Sequence, residues 1–273
     1  MKRVALFLSL ALIAISSPAR AATTDWVEVQ GGAVRLVATG PLESGKYLAG
    51  LEFLLEPGWH TYWRYPGEAG IPPQISFPGS VNLGQTEILY PVPQRYDDGF
   101  TKSIVYYDGI ILPMKVTPEA PEKGVLLSLD VFFGICKEIC IPADASLSLP
   151  LEPQGETDEL AARLIARDLA MVPTSGETGG LSIGTVTLSG NGGSLVIETE
   201  APENTTPDLF AAAPGPSYIG LPELDRNDGG RAVWRLPLKG LAVAEDDDQL
   251  RLVLAANGKA VVRLVTIDPS WLK

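Results

Sequence analysis

Cys136 and Cys140 are the only cysteines in the 273-residue chain. They lie in Phe132-Phe133-Gly134-Ile135-Cys136-Lys137-Glu138-Ile139-Cys140-Ile141-Pro142, with alternating apolar runs on both sides. Two thiols this close can form a structural disulfide, exchange disulfides with another protein, or hold Cu(I) between two thiolates. On an extended strand, residues four apart are separated by about 13 Å, whereas a disulfide needs Cα atoms roughly 4.4–6.8 Å apart. The pair can therefore close only if Lys137-Glu138-Ile139 folds into a turn. As a staple, a loop of about five residues contributes only about 2 kcal/mol, and a chain of this length can bury enough core without it. Exchange, which needs a resolving thiol beside the attacking one, accounts for the pair better than a staple does. Lys137 would favour a thiolate at Cys136 and Glu138 would oppose it; both read as solvated charges at the tip of a hairpin.

Other chemistries find less support. His60 is the only histidine, it sits in an aromatic run, and nothing local places it beside the thiols. Structural zinc wants four ligands, so no metal site is expected, and no cofactor. No Ser-His-Asp set, phosphate loop or HExxH motif is present. The formal charge is −12. Such an acidic balance argues against nucleic acid or an anionic membrane as partner.

The elements that must position the thiols read as strands. Val125, Leu127, Leu129, Val131 and Phe133 alternate before the pair, and Ala145, Leu147, Leu149 and Leu151 after it. The cysteines thus sit at the turn between two adjacent strands. Upstream, strands are expected over 26–37, 47–55, 59–63, 74–77 and 85–89. A hairpin is expected over 104–107 and 110–116 around Asp108-Gly109. Short strands with turn signals at this spacing predict a β-sandwich. One helix follows, with Thr157 as N-cap and Leu160, Leu164, Ile165 and Leu169 as its apolar stripe. Strands resume over 183–188, 194–199, 217–221, 232–238, 249–255 and 260–267.

The second half echoes the first. Leu236-Pro237-Leu238-Lys239 parallels Leu112-Pro113-Met114-Lys115, and Ala256-Asn257-Gly258 stands as a plain hairpin turn where the first copy has its cysteines. The expected fold is mainly β, two tandem sandwiches joined by a short helix. The expected boundaries are residues 1–21 as a signal peptide, 22–152 as the cysteine-bearing sandwich, 153–178 as a helical linker and 179–273 as a second sandwich without cysteines.

Lys2 and Arg3, an apolar run from Val4 to Ile15, and Ala19-Arg20-Ala21 give the order of a secretory signal. Its apolar run falls short of the about 20 residues of a membrane span. The mature chain is expected to be exported, to begin near Ala22 and not to insert into the membrane. Removing residues 1–21 takes three of the 21 basic residues and no acid, leaving 18 against 33, a net of −15. Export places the thiols where disulfides persist.

Three stretches together resemble the exported N-terminal thiol–disulfide exchange domain of the DsbD and ScsB transmembrane reductases, with the ScsB-like branch closer. The first is Pro57-Gly58-Trp59-His60-Thr61-Tyr62-Trp63-Arg64, with Pro66-Gly67 and Gly70-Ile71-Pro72-Pro73. The second is Tyr96-Asp97-Asp98-Gly99-Phe100-Thr101-Lys102-Ser103, followed by Tyr107 and Leu112-Pro113. The third is Cys136-Lys137-Glu138-Ile139-Cys140-Ile141-Pro142. The resemblance implies immunoglobulin-like sandwiches, with Cys140 as the attacking cysteine and Cys136 as the resolving one. It implies that the loop of Asp97, Asp98 and Phe100 is a cap shielding the thiols until a partner docks. It also implies a periplasmic location, a thioredoxin-like or transmembrane thiol reductase as donor, and periplasmic disulfide proteins as acceptors. Those reductases continue into membrane helices; this sequence stops at Lys273, so electrons are expected to arrive in trans. The alternatives are an exported β-sandwich binding module with a structural disulfide, or a Cu(I)-handling protein using the same cysteines.

Overall fold

Alternating apolar runs become strands throughout the computed structural model, which describes residues 22–215, 217–245 and 247–272. The expected signal segment, residues 1–21, lies outside the described residues. The first half comprises β1 (Val27–Val29), β2 (Gly32–Ala38), β3 (Tyr47–Leu55), β4 (His60–Gly67), β5 (Gln74–Ser76), β6 (Leu83–Ile88), β7 (Gln94–Asp97), β8 (Lys102–Tyr107), β9 (Gly109–Pro118), β10 (Val125–Cys136) and β11 (Cys140–Leu151). They form two sheets, ordered β1-β2-β3-β9-β6 and β11-β10-β4-β8-β7, with β5 also paired to β10. Leu36, Leu51 and Leu112 from one sheet meet Leu127, Leu129 and Phe133 from the other in the buried core. Phe53 and Phe133 bridge the sheets edge to face at 5.1 Å, an arrangement that gains beyond simple area burial.

The chain then forms α1 (Glu159–Leu169), β12 (Thr174–Ser175), β13 (Ser182–Leu188), β14 (Ser194–Glu200), β15 (Asp208–Ala212), β16 (Glu223–Asp228), β17 (Arg231–Pro237), β18 (Gln249–Ala256), β19 (Lys259–Thr266) and a 3-10 turn at Pro269–Leu272. The second sandwich has sheets β12-β19-β18-β15 and β13-β14-β17-β16. The fold is therefore the expected pair of tandem β-sandwiches joined by a short helix. Their plans coincide: β3-β9-β6 corresponds to β14-β17-β16, and β11-β10-β4 to β19-β18-β15. The sequence echo thus extends to strand order. Among the described residues, the second sandwich has no counterpart of β7 and β8.

Several local expectations are corrected. Residues 26–37 are two strands rather than one, because Gly31 adopts φ +88° and turns the chain back; a Cβ there would collide with the Trp59 ring. The Asp108-Gly109 signal does not close a hairpin. Asp108 takes φ +60°, but β8 pairs with β4 and β7 whereas β9 pairs with β3 and β6, so this turn carries the chain from one sheet to the other. Residues 217–221 are not a strand; β15 and β16 flank them instead. Thr174–Ser175, expected within the linker, pairs parallel with β19. The Asn257-Gly258 turn does form a hairpin, with φ +52° and +72°, as a two-residue turn of the I′ type requires.

The helix is capped one residue later than expected. The Asp158 carboxylate accepts from the Leu160 and Ala161 amides. Leu160 is 67% exposed, and the buried face is Ala161, Ile165 and Asp168, packed on Val37 and Ile111 at the back of the first sheet. Asp168 reaches inward to accept from the Ile111 amide at 2.7 Å, and Arg167 pairs with the same carboxylate at 2.7 and 2.9 Å.

Where the sandwiches meet, Trp63 lies 6.3 Å from Phe210. The Tyr65 hydroxyl donates to the Ile219 carbonyl at 2.8 Å and accepts from the Ile219 amide at 2.6 Å.

Candidate functional site

β10 and β11 pair without interruption from Val125↔Leu151 to Cys136↔Cys140. The cysteines are the last rung of this ladder, and Lys137-Glu138-Ile139 makes the bend beyond it. Their Cα atoms are 4.2 Å apart and the sulfurs form a disulfide. The turn required by the sequence spacing is thus supplied by antiparallel pairing. The two cysteines are not equivalent to a visitor. Cys136 is 2% exposed, packed with Tyr62 and Val105, whereas Cys140 is exposed at the edge strand.

On the other side of β10 lies β4, with His60 opposite Cys136, and then β8, with Tyr107 opposite His60. Directly opposed residues share a sheet face, so Cys140, Cys136, His60 and Tyr107 form one row. His60, read from the sequence as remote from the thiols, stands next to one of them. Tyr62, two residues along β4, is on the same face. Its hydroxyl lies 2.9 Å from Cys136 Sγ and 3.0 Å from Cys140 Sγ. A disulfide sulfur carries no proton, so the hydroxyl donates to both. Burial, followed by Tyr96 and Asp98, pushes the Tyr62 pKa up to about 12, which keeps it a proton donor across the neutral range.

Two glycines make room for this ring. Gly134 on β10 and Gly70 after β4 flank it. A Cβ on Gly134 would come within 3.1 Å of the ring, and one on Gly70, at φ +131°, would fall inside it. Thr61 points the opposite way and its hydroxyl donates to the Gly134 carbonyl at 2.8 Å, holding β4 against β10.

An aromatic wall surrounds the pair. The His60 ring lies 4.5 Å from Tyr96, 5.6 Å from Tyr62 and 5.8 Å from Tyr107. Burial lowers the His60 pKa, with Asp98 opposing in part, so the imidazole is neutral at neutral pH. Asp98 is therefore within electrostatic reach of both His60 and Tyr62. The loop between β7 and β8 is shaped by its acids. Asp97 accepts from the Gly99 amide, and Asp98 from the Phe100 and Thr101 amides. These bonds to the ionised form hold the Asp98 carboxyl below its usual pKa. Phe100 is 95% exposed, so in this arrangement its ring does not lie over the sulfurs. At the hairpin tip, Ile139 is 75% exposed, and Lys137 is directed to the Pro57 carbonyl at 3.4 Å.

Sequence reasoning located the thiols and the acidic loop. It missed Tyr62, His60, Tyr96 and Tyr107 as their surroundings. The only signal was the alternation His60, Tyr62 on β4 and Tyr96 ahead of Asp97; which face they share is decided by pairings between distant strands. Among the described residues, no group of three or more His, Cys, Asp or Glu side chains could hold a metal ion. No described helix is long and apolar enough to cross a membrane.

The edge hairpin of the first sandwich thus ends in a disulfide between one buried and one exposed cysteine. Residues 33–152 match the family model of thiol:disulfide interchange protein DsbD, N-terminal. Across both sandwiches the fold is similar to the crystal structure of the N-terminal periplasmic domain of ScsB from Proteus mirabilis. Identity is 21%, the TM-score is 0.70, and the match covers 90% of this chain and 98% of that one. None of the curated proteins matches the chain.

Proposed function

We propose that the chain is a periplasmic thiol–disulfide exchange protein that passes electrons from a thioredoxin-like or transmembrane thiol reductase to exported disulfide proteins. The observation that carries this reading is the asymmetry of the pair: Cys140 is exposed, Cys136 is 2% exposed, and one hydroxyl donates to both sulfurs. The match of residues 33–152 to the DsbD N-terminal family model supports it. The exchange unit is residues 22–152; residues 153–178 link it to a second unit, 179–273.

In the reduced protein the Cys140 thiolate attacks a sulfur of the acceptor's disulfide. An S–S bond forms between the proteins and the acceptor's other sulfur leaves as a thiolate. Cys136, as thiolate, then attacks Cys140 Sγ. The Cys136–Cys140 bond closes and the acceptor departs as a dithiol, having gained two electrons. A donor dithiol restores the pair by the same two steps in reverse. Tyr62 lowers the cost of each thiolate by donating to it. Asp97, Asp98 and Phe100 form the loop that a docking partner must meet.

The test is capture. With Cys136→Ser, the mixed disulfide through Cys140 cannot resolve and should accumulate with a periplasmic protein or donor; Cys136→Ser/Cys140→Ser should capture nothing. The reading fails if no partner is trapped and thioredoxin-type dithiols leave the wild-type pair oxidised.

A further inference from the structure

The hairpin of β7 and β8 has two working faces. On the outer face, Tyr96 stacks on His60 at 4.5 Å, and Val105 and Tyr107 pack with Tyr62 and Cys136. On the inner face, the residue next to Tyr96 leaves the first sandwich altogether. Arg95 Nε donates to both oxygens of Asp208 at 2.8 and 3.0 Å, and Nη2 donates to the Leu209 and Pro222 carbonyls at 2.7 and 2.8 Å. Its guanidinium also lies 5.6 Å from the Phe210 ring. All of these partners belong to the second sandwich.

The two strands of the hairpin are held differently. β8 is fastened within its own sandwich: the Lys102 amide donates to Glu68 and the Ser103 hydroxyl to the Ala69 carbonyl. β7 is the edge strand and pairs only with β8. Arg95 is its side-chain tie across the interface. The charge-assisted bond to a carboxylate, with two carbonyls completing the fork, is the kind that fixes orientation as well as position. Lys102, opposite Asp97 in the hairpin, lies 3.7 Å from Glu223 of the same sandwich, an exposed pair of little weight.

We infer that the second sandwich sets the position of the hairpin that walls the disulfide, and that Arg95 is the positioning residue through which it does so. This rests on the exchange reading above and gives the cysteine-free half a task in it. Arg95 touches neither sulfur. It fixes Tyr96, and Tyr96 packs on the row of His60, Tyr62 and Cys136. Releasing Arg95 frees the outer wall and uncovers Cys136, the buried half of a disulfide whose other half, Cys140, is already exposed.

The experiment uses the full oxidised chain with Arg95→Ala, Arg95→Lys and Asp208→Asn. Hydrogen exchange should show amides of residues 96–101 losing protection by at least about tenfold in Arg95→Ala, while β14 and β17 keep theirs. Reduction of the disulfide by dithiothreitol, which in wild type can enter only at the exposed Cys140, should speed up at least about threefold in the same variant because attack at Cys136 then no longer waits on local opening. Arg95→Lys, which keeps the charge but not the fork, should fall between wild type and Arg95→Ala, as should Asp208→Asn. These two keep the test informative if Arg95→Ala does not fold. Unchanged protection at 96–101, an unchanged reduction rate, or a loss of protection spread evenly over both sandwiches overturns the inference. If local protection falls and dithiothreitol reduction accelerates but no protein partner is ever captured, the positioning role stands and the exchange function is what fails.

Discussion

Tyr62→Phe isolates what one hydroxyl does for two sulfurs. The ring is 2% exposed, wedged between Gly70 and Gly134, so phenylalanine fills the same space and removes only the donor. In the reduced protein that donor stabilises whichever sulfur is ionised. A hydrogen bond to a charged group is worth about 1.5–3 kcal/mol, against about 0.5–1.5 for a neutral one. The difference, about 1–1.5 kcal/mol, corresponds to about one pKa unit. Removing the hydroxyl should therefore raise the Cys140 pKa by about one unit. Below that pKa, the thiolate fraction falls about tenfold. The surviving thiolate is more basic and more nucleophilic, with a Brønsted slope of about 0.4–0.5, which returns about threefold. The net loss in attack rate is about three- to fourfold. The assay is the pH dependence of alkylation of Cys140 by iodoacetamide in a Cys136→Ser background, with and without Tyr62→Phe. Superimposable pH profiles would refute the assignment of Tyr62 as donor to the thiolate, whatever the effect on stability.

Three further outcomes follow from the same geometry. Gly70→Ala places a methyl inside the Tyr62 ring at φ +131°; it should cost about 1–3 kcal/mol of stability and shift the Cys140 alkylation profile in the same direction as Tyr62→Phe, so an unshifted profile counts against it. Burial holds the His60 pKa below its ordinary value of 6.5. The unfolded chain therefore binds a proton that the folded one refuses: stability is complete above pH 6.5 and is lost as pH falls through 6.5 towards the folded pKa. Denaturant titrations should show this loss in wild type and a shallower one in His60→Phe; equal slopes would remove His60 from the account. Asp168→Ala strands the buried Ile111 amide and should cost about 1–3 kcal/mol, while Asp168→Asn keeps an acceptor and should cost less. Arg167 is 54% exposed, so its lost pairing adds little; identical urea midpoints for the two variants would contradict this.

What was legible in the sequence was what is local. The thiol spacing, the flanking period-two alternation and the Asn257-Gly258 turn each involve residues within a few positions, and each became the element expected. The row of Cys136, His60 and Tyr107 depends on β4 crossing to β10 from 74 residues away, as the Tyr62–Cys136 bond shows, and no period encodes that register. Asp108-Gly109 misled for a related reason. A positive φ reverses a chain equally well within a sheet or between two sheets, and the choice is made by β3 and β4, not by the turn. The helix stripe drifted because a carboxylate, Asp168, is the buried residue in its last turn; a hydrophobic pattern does not see an acid that is satisfied by a strand amide.

The two sandwiches act as an internal control for the meaning of the disulfide. Both close the same hairpin, β10 with β11 and β18 with β19, and the second does it with Asn257 and Gly258 alone. The architecture therefore does not require a covalent link at that turn, which weighs against a staple. The same comparison shows what else the first sandwich gained. Beyond the strand that corresponds to β15 it adds β8 and then β7, and these bring Tyr107 and Tyr96 against His60. A hairpin needed only for stability would have no reason to occur together with the sulfurs. A hairpin that packs against the buried Cys136, tied from behind through Arg95 to the sandwich without cysteines, is what the proposed exchange function would use to control access to the disulfide.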